Sequence, residues 1–187
     1  MDAINALLTR NSVALLTEPA PSKKQLDNIF QAGLRANDHR HLRPWKILQI
    51  DGGAREKLGE LILEISLEDN PDLSIEKQGQ IVAKALRAPL ILVMVAVVRD
   101  NEKVPDIEQL LSAGGAAQLM MLAAHAQGVG AVWRTGSIAY DKRMIRGLDL
   151  EEGDHIVGFL YMGTPKVVKP LQSIDVDDFV IHWGADL

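Results

Sequence analysis

Three arginines stand where predicted helices or strands end: Arg10, Arg35 and Arg134. A guanidinium group offers a planar fork of N–H donors that matches a phosphate or a carboxylate. In a chain of 187 residues with a net charge of −5, such arginines could converge on one anion. Each arginine alone is weak evidence, because most arginines only solvate a surface.

The polar neighbours of these arginines have ordinary structural roles as well as chemical ones. Ser12 could add a hydroxyl to the anion held by Arg10, although capping of nearby backbone groups is at least as common. Asp38 and His39 are an adjacent acid–base pair, but no nucleophilic serine is signalled nearby, so a structural role is favoured. Trp133, next to Arg134, is by itself expected to pack in the core.

Several chemistries are excluded by what the sequence lacks. It has no dinucleotide fingerprint after a strand, no phosphate-binding P-loop and no serine nucleophile elbow. Without cysteine there is no thiolate nucleophile, iron–sulfur cluster or disulfide. Only His39 and His41 are close in sequence, and no further ligand lies at a metal-binding spacing, so no metal site is expected. Oxygen and nitrogen groups or a borrowed cofactor must do the chemistry.

Composition also predicts the surroundings of the protein. A negative net charge gives no general attraction to nucleic acid or to an anionic membrane. The first residues lack the basic and apolar regions of a secretory signal. The longest unbroken apolar run, Leu90 to Val98, is too short to span a bilayer. We expect a cytoplasmic protein with no membrane and no nucleic-acid partner.

Periodicity predicts helices and strands distributed along a single domain, 1–187. Helices are expected over 2–9, 54–67, 73–86, 106–127 and 141–146, with one more beginning after the N-cap Ser22. Strands are expected over 45–50, 90–98, 129–135 and 155–162. This set predicts an α+β or α/β domain whose central sheet is covered by helices. The tail from Ser173 is amphiphilic and is expected to be pinned to a surface.

The helix over 106–127 has the most unusual composition. Its apolar residues go nearly all the way round, which predicts burial on every side. Gly128 stands where a C-terminal cap belongs. The small residues from Ala113 to Ala117 would let a second helix, a partner subunit or a flat cofactor approach closely.

Six segments, in their order and spacing, resemble the nitroreductase family of flavoproteins over nearly the whole chain. They are Arg10-Asn11-Ser12, Arg35 to His39, Arg43-Pro44-Trp45, Ser112 to Gly128, Trp133 to Gly136 and Val157 to Pro165. The resemblance implies an α+β fold with a central mixed β-sheet flanked by helices. It also implies an intertwined homodimer with two FMN sites at the subunit interface.

The resemblance assigns cofactor roles by position in these motifs. The FMN phosphate and ribityl end would be held by Arg10, Asn11 and Ser12. The same cofactor would be lined by Trp133, Arg134 and Thr135, and reached from the partner subunit by Arg35 and His39. The nicotinamide nucleotide would lie at Ala123, Ala124, His125, Ala126, Gln127 and Gly128. No side chain is implied as catalytic, because the flavin carries the chemistry.

The implied function is an FMN-dependent NAD(P)H oxidoreductase that reduces nitroaromatics, quinones or similar electron-poor acceptors by ping-pong hydride transfer. Two alternatives stay open: a flavin-dependent dehydrogenase or dehalogenase of an unidentified metabolite, and a dimeric binding module that has lost flavin. Asn11 replaces the family's usual arginine, which favours the second alternative. Arg43 replaces a usual glutamine, and Asn37 a proline, so loop rigidity and substrate preference can differ from those of relatives. The acceptor and the choice between NADH and NADPH are left open.

Overall fold

Six helices of 6 to 21 residues and five strands follow one another along the described chain, and the computed structural model describes residues 1–168 and 170–184. The elements in order are α1 (Ala3–Thr9), β1 (Leu16–Thr17), α2 (Lys23–Gly33), β2 (Trp45–Asp51), α3 (Ala54–Asp69), α4 (Ile75–Val82), β3 (Leu90–Val97), α5 (Asp106–Ala126), β4 (Gly130–Arg134), α6 (Lys142–Gly147) and β5 (Asp154–Pro165). Single 3-10 turns lie at His39–His41, Ser137–Tyr140 and Val176–Asp178. Within the described ranges, no helix has both the length and the apolar character that crossing a bilayer requires.

Strand β5 is the centre of the sheet. It pairs with β3 along one edge, while β4 and β1 share its other edge, and β2 lies beyond β3. The predicted central sheet is confirmed, but every strand pair among the described residues is antiparallel where a mixed sheet was expected. The long helix α5 does return the chain so that β3 and β4 run in the same direction. They are not neighbours, however, because β5 lies between them and opposes both.

Helices cover both faces of the sheet. On one face, α5 and α2 pack against Leu92, Met94 and Leu160. On the other, α3 and α6 pack against Val93 and Phe159. Residues Leu90 to Ala96 of β3 are at most 2% exposed, as expected of a continuous apolar strand buried on both faces.

Local capping chemistry defines several helix ends. Ser22 is the N-cap of α2, as predicted, and it forms a reciprocal capping box with Gln25. Gly128 follows α5 with φ of +75°, a conformation that favours glycine. The two-residue strand β1 was not predicted, because it is defined only by its pairing with Thr164 and Pro165 of β5.

Two expectations about burial are wrong for the single chain. Helix α5 is buried on one face, which carries Ala116, Ala117 and Met120, but Leu111 on its other face is 66% exposed. Among the described residues, α5 contacts the sheet, helices α1 and α2 and the turn at His39–His41, and these leave its second apolar face open. The tail is not pinned to a surface either over its described part, 173–184, where Trp183 is 98% exposed, and 185–187 lie outside the described residues.

Replacing Gly158 by alanine should destabilise the fold. A Cβ at this position of β5 would collide with the indole ring of Trp133. Overpacking of this kind costs about 1–3 kcal/mol, which a shift in the urea unfolding midpoint would measure. Gly79→Ala is the matched control, because a Cβ at this site on α4 meets nothing within 4 Å and should raise stability by about 0.5–1 kcal/mol. Equal stability of Gly158→Ala and the parent would show that the ring has room to move.

Candidate functional site

The outer edge of β4 is the backbone that the site is built on. Strand β5 pairs with one edge, and on the opposite edge the Val13 N–H donates to the Ala131 carbonyl at 2.8 Å. Backbone groups of alternate residues point to the same edge of an antiparallel strand, so Trp133 presents its N–H and C=O beside those of Ala131. No residue in the described ranges hydrogen-bonds these groups. The strand therefore offers an open donor and acceptor close to the segment that contains Asn11 and Ser12.

The Arg10 motif lies where α1 meets the C-terminal end of α5. Arg10 caps α1 through its backbone N–H, and the Asn11 side-chain oxygen accepts the Ser12 N–H at 2.8 Å. Thr9 Oγ1 is 2.9 Å from Nε2 of His125 on α5. Burial, and then the charge of Arg10, lower the pKa of His125. The structure thus brings the predicted phosphate motif beside the stretch predicted to bind the nicotinamide nucleotide.

Trp133 and Arg134 lie on opposite faces of the sheet, as successive residues of a strand must. Trp133 packs with the core on the α5 side and donates its Nε1–H to the Val157 carbonyl at 3.2 Å. Arg134 lies on the other face, with its guanidinium 5.9 Å from the centre of the Tyr161 ring. The side chains therefore cannot line the same surface, and only the Trp133 backbone shares the open edge of β4.

A cavity of about 290 Å³, here termed the Arg134 pocket, lies at the end of β4. Its cationic residues are Lys84, Arg87 and Arg134, and its hydroxyls come from Ser66, Thr135, Ser137 and Tyr161. The buried Nε of Arg134 has no hydrogen-bond partner among the described residues. An unpaired buried donor costs about 1–3 kcal/mol, so this pocket suits a ligand rich in acceptor atoms and negative charge.

Tyr161 forms the buried side of the Arg134 pocket. Burial raises the pKa of its hydroxyl, and the charges of Arg134 and Arg87 partly oppose that rise. The Tyr161 ring therefore serves as an apolar, aromatic support under the Arg134 guanidinium.

Lys84 and Arg87 are site residues that the sequence interpretation missed. Lys84 was assigned to an ordinary half-buried helix over 73–86 and Arg87 to no element, whereas α4 ends at Val82 and both residues lie in the irregular segment that follows it. The sequence signal that could have pointed to them was the presence of two cations shortly before Pro89, which precedes a buried strand.

Arg35 and His39 lie in a different part of the molecule. Arg35 borders a cavity of about 640 Å³ over the open face of α5, together with Leu111 and Gly115. His39 Nδ1 is 2.6 Å from Oε2 of Glu108, near the start of α5, and both side chains are about half exposed. The cavity of Arg35 shares no residue with the Arg134 pocket. Within one chain, the predicted cofactor residues Arg35 and His39 therefore lie apart from Arg134.

Residues 123–128 are engaged mainly in packing. Gln127 donates its side-chain N–H groups to the carbonyls of Gln25 and Ala123, and its side-chain oxygen accepts from Asn28 at 2.8 Å. Ala124 is fully buried. A helix C-terminus also carries partial negative charge, which disfavours a phosphate. The assignment of a nicotinamide nucleotide to this stretch stays a prediction.

Arg10→Gln should raise the pKa of His125 towards its ordinary value of about 6.5, because one of the two causes of its depression is removed. A proton NMR titration of the imidazole measures this shift, with the exposed Lys24→Gln as a charge-matched control. Since the folded-state pKa is depressed, this histidine contributes stability above about pH 6.5 that is lost as the pH falls through the folded-state value. The variant should lose less stability over that window. An unchanged pKa would mean that Arg10 is too far from the ring.

Comparison with known proteins identifies the family. The profile described as "Nitroreductase family" matches residues 7–164. The Escherichia coli protein named "Putative NAD(P)H nitroreductase YdjA" is 41% identical over 179 residues, covering 95% of this chain and 96% of the relative. A nitroreductase-like family protein from Bacillus cereus has a similar structure, with a TM-score of 0.82 and 25% identity over 98% of this chain and 97% of that one. A Bacteroides fragilis nitroreductase described with bound FMN shares the fold, with a TM-score of 0.72 and 14% identity over 97% and 99% of the chains. The chain belongs to the nitroreductase family.

Proposed function

We propose that this protein is an FMN-dependent oxidoreductase that uses NADH or NADPH to reduce electron-poor acceptors such as nitroaromatics or quinones. Family membership supports an oxidoreductase. The Arg134 pocket is the observation that carries the assignment to FMN, because its buried Nε lacks a partner within the described part of the chain and two further cations lie around it.

The residues of the pocket fit the ring system of a flavin. The pyrimidine end of that ring presents two carbonyl oxygens and the ring nitrogen N1, which can accept from Arg134 and Lys84. Cations in this position favour a ring that has gained electrons and negative charge. The open backbone groups of Trp133 can bond a second edge of the ring. Two-electron transfer from a nicotinamide to an acceptor is the chemistry that FMN supplies when bound.

The Arg10 motif would hold the phosphate end of the same cofactor. The Val13–Ala131 hydrogen bond keeps Ser12 near the edge of β4, so phosphate and ring can be held by adjacent segments. Asn11 cannot supply the charge of the family's usual arginine, and its side-chain oxygen accepts from the Ser12 N–H. Arg10 would therefore carry most of the charge in this motif.

A second copy of the chain would complete the site. Large apolar side chains are exposed on α1, on the open face of α5 and along the tail: Ile4, Leu7, Leu8, Ile107, Leu111, Phe179, Ile181 and Trp183. Exposed apolar surface of this extent marks a protein–protein interface. We propose a homodimer in which Arg35 and His39, which border the open face of α5, approach the FMN of the partner.

The purified protein should be yellow, and anaerobic addition of NADH or NADPH should bleach the flavin absorbance. A colourless protein that cannot be reconstituted with FMN would instead favour the binding module. Bleaching followed by only slow, unselective oxidation with nitroaromatics and quinones would favour a dehydrogenase or dehalogenase of another metabolite.

Arg10→Gln should weaken FMN binding about ten- to a hundredfold, because a charge-assisted hydrogen bond contributes about 1.5–3 kcal/mol. Quenching of FMN fluorescence on titration with the apoprotein measures the Kd. Lys24→Gln removes the same charge from the exposed surface of α2 and should leave the Kd unchanged. Equal Kd values for all three proteins would rule out the phosphate role of Arg10.

Leu111→Glu should convert the dimer to a monomer, because a carboxylate would be buried on the open face of α5. Light scattering coupled to gel filtration measures the mass. Ile75→Glu is the control, since Ile75 is also a large apolar residue, is even more exposed and lies on α4. A monomeric parent would contradict the dimer without affecting the Arg134 pocket.

A further inference from the structure

A groove of about 490 Å³ lies between the end of α2 and the loop 38–43. One wall is apolar, formed by Leu34, Ala36 and Trp45, and the rim carries Arg35, His41 and Arg43. We refer to it as the Trp45 groove. None of the roles assigned above uses His41, Arg43 or Trp45.

The loop that forms the rim is fastened in place. Both carboxylate oxygens of Asp38 accept backbone N–H groups, from Leu42 at 3.1 Å and from Arg43 at 2.7 Å. At the far end of the loop, the Val97 N–H donates to the Pro44 carbonyl at 3.0 Å, which ties the loop to β3. The rim is therefore organised before any ligand arrives, which lowers the entropy cost of binding.

The same loop holds non-glycine residues in an unfavourable conformation. Arg40, His41 and Arg43 have φ values of 61°, 55° and 51°, in the left-handed region that glycine occupies at lower cost. At residues other than glycine this backbone geometry has a conformational cost. Strain of this kind concentrates at ligand-binding segments, where it positions particular side chains.

In the described part of the chain, no carboxylate pairs with the charged groups on the rim. Neither Arg35 nor Arg43 forms an ion pair with a carboxylate in residues 1–168 or 170–184. Asp38 is the acidic residue on the groove, and its oxygens are engaged by backbone N–H groups. Two guanidinium groups beside an exposed part of an indole match a flat ring that carries a carboxylate, which an arginine fork binds through two parallel hydrogen bonds.

Arg35 connects this groove to the proposed redox site. It borders both the Trp45 groove and the cavity over the open face of α5, where the proposed dimer places the FMN of the partner. We propose that the Trp45 groove binds the carboxylate end of an aromatic electron acceptor, so that the enzyme prefers aromatic acids to neutral aromatic compounds. The preference among acceptors rests on the proposed function, whereas binding of the acid itself does not.

The first test compares two acceptors with the same reducible ring, para-nitrobenzoate and neutral para-nitrobenzyl alcohol. The parent should have the higher kcat/KM for the acid, and Arg43→Gln should lower the ratio of the two values about ten- to a hundredfold, mainly through KM. Arg40→Gln is the matched control: Arg40 has the same charge and a left-handed backbone in the same loop but does not line the groove. In Arg40→Gln the ratio of kcat/KM for the acid to kcat/KM for the alcohol should equal that of the parent.

The second test measures binding without turnover. Benzoate, which cannot be reduced, is titrated calorimetrically into the protein as purified and into the two arginine variants. Arg43→Gln should lose affinity by the factor seen in the kinetics, and Arg40→Gln should not. Benzoate binding by a protein that holds no flavin would support carboxylate binding by the Trp45 groove and contradict the proposed function.

Two results would overturn the inference. One is equal kcat/KM for the acid and the alcohol in an active flavoenzyme, which would leave the proposed function intact. The other is an Arg43→Gln variant whose KM rises for NADPH but not for NADH or para-nitrobenzoate. That outcome would assign the groove to a nucleotide phosphate.

Discussion

The one-sided pairing of β4 with β5 is the constraint on which the rest of the site depends. Because β5 pairs with one edge only, the other edge holds backbone groups of Trp133 that no described residue bonds, within reach of the N-terminal segment. The same alternation sends the Trp133 ring into the core over Gly158 and sends Arg134 to the opposite face, above Tyr161. Two adjacent residues of one strand thus have different roles: Trp133 packs in the core, and Arg134 lines a charged pocket.

Sequence was informative where the chemistry is local. Ser22 and Gly128 end helices through their own side chain or backbone freedom, and the apolar run of β3 can only be buried. The sequence was uninformative where contact with a second, distant segment decides whether a residue is buried, paired or part of a pocket. An apolar α5 face can be covered by its own chain or by another, and the composition of the helix is the same in both cases. The two residues of β1, and the placement of Lys84 and Arg87 at a pocket, depend on distant strands and turns that leave no periodic signal.

The arginines divide into two groups by what surrounds them. Arg143 is held by Asp141, Asp69 and Glu68, which raise its pKa, and the last two tie α6 to α3. Arg35, Arg43 and Arg134 form no ion pair with the acidic residues of the described chain, although that chain carries more acids than bases. Cations that no described carboxylate neutralises are available to anions from outside the chain.

Helix α1 buries only Ala6, although it leads directly into the Arg10 motif. A helix of seven residues is unstable by itself in water, so its order must come from contacts such as the one between Thr9 and His125. If a second chain covers its apolar face, the ordering of α1, the association of the subunits and the retention of the cofactor become one coupled equilibrium. Free cofactor would then act on the quaternary structure by mass action, and dilution of the protein would lower its apparent affinity for the cofactor.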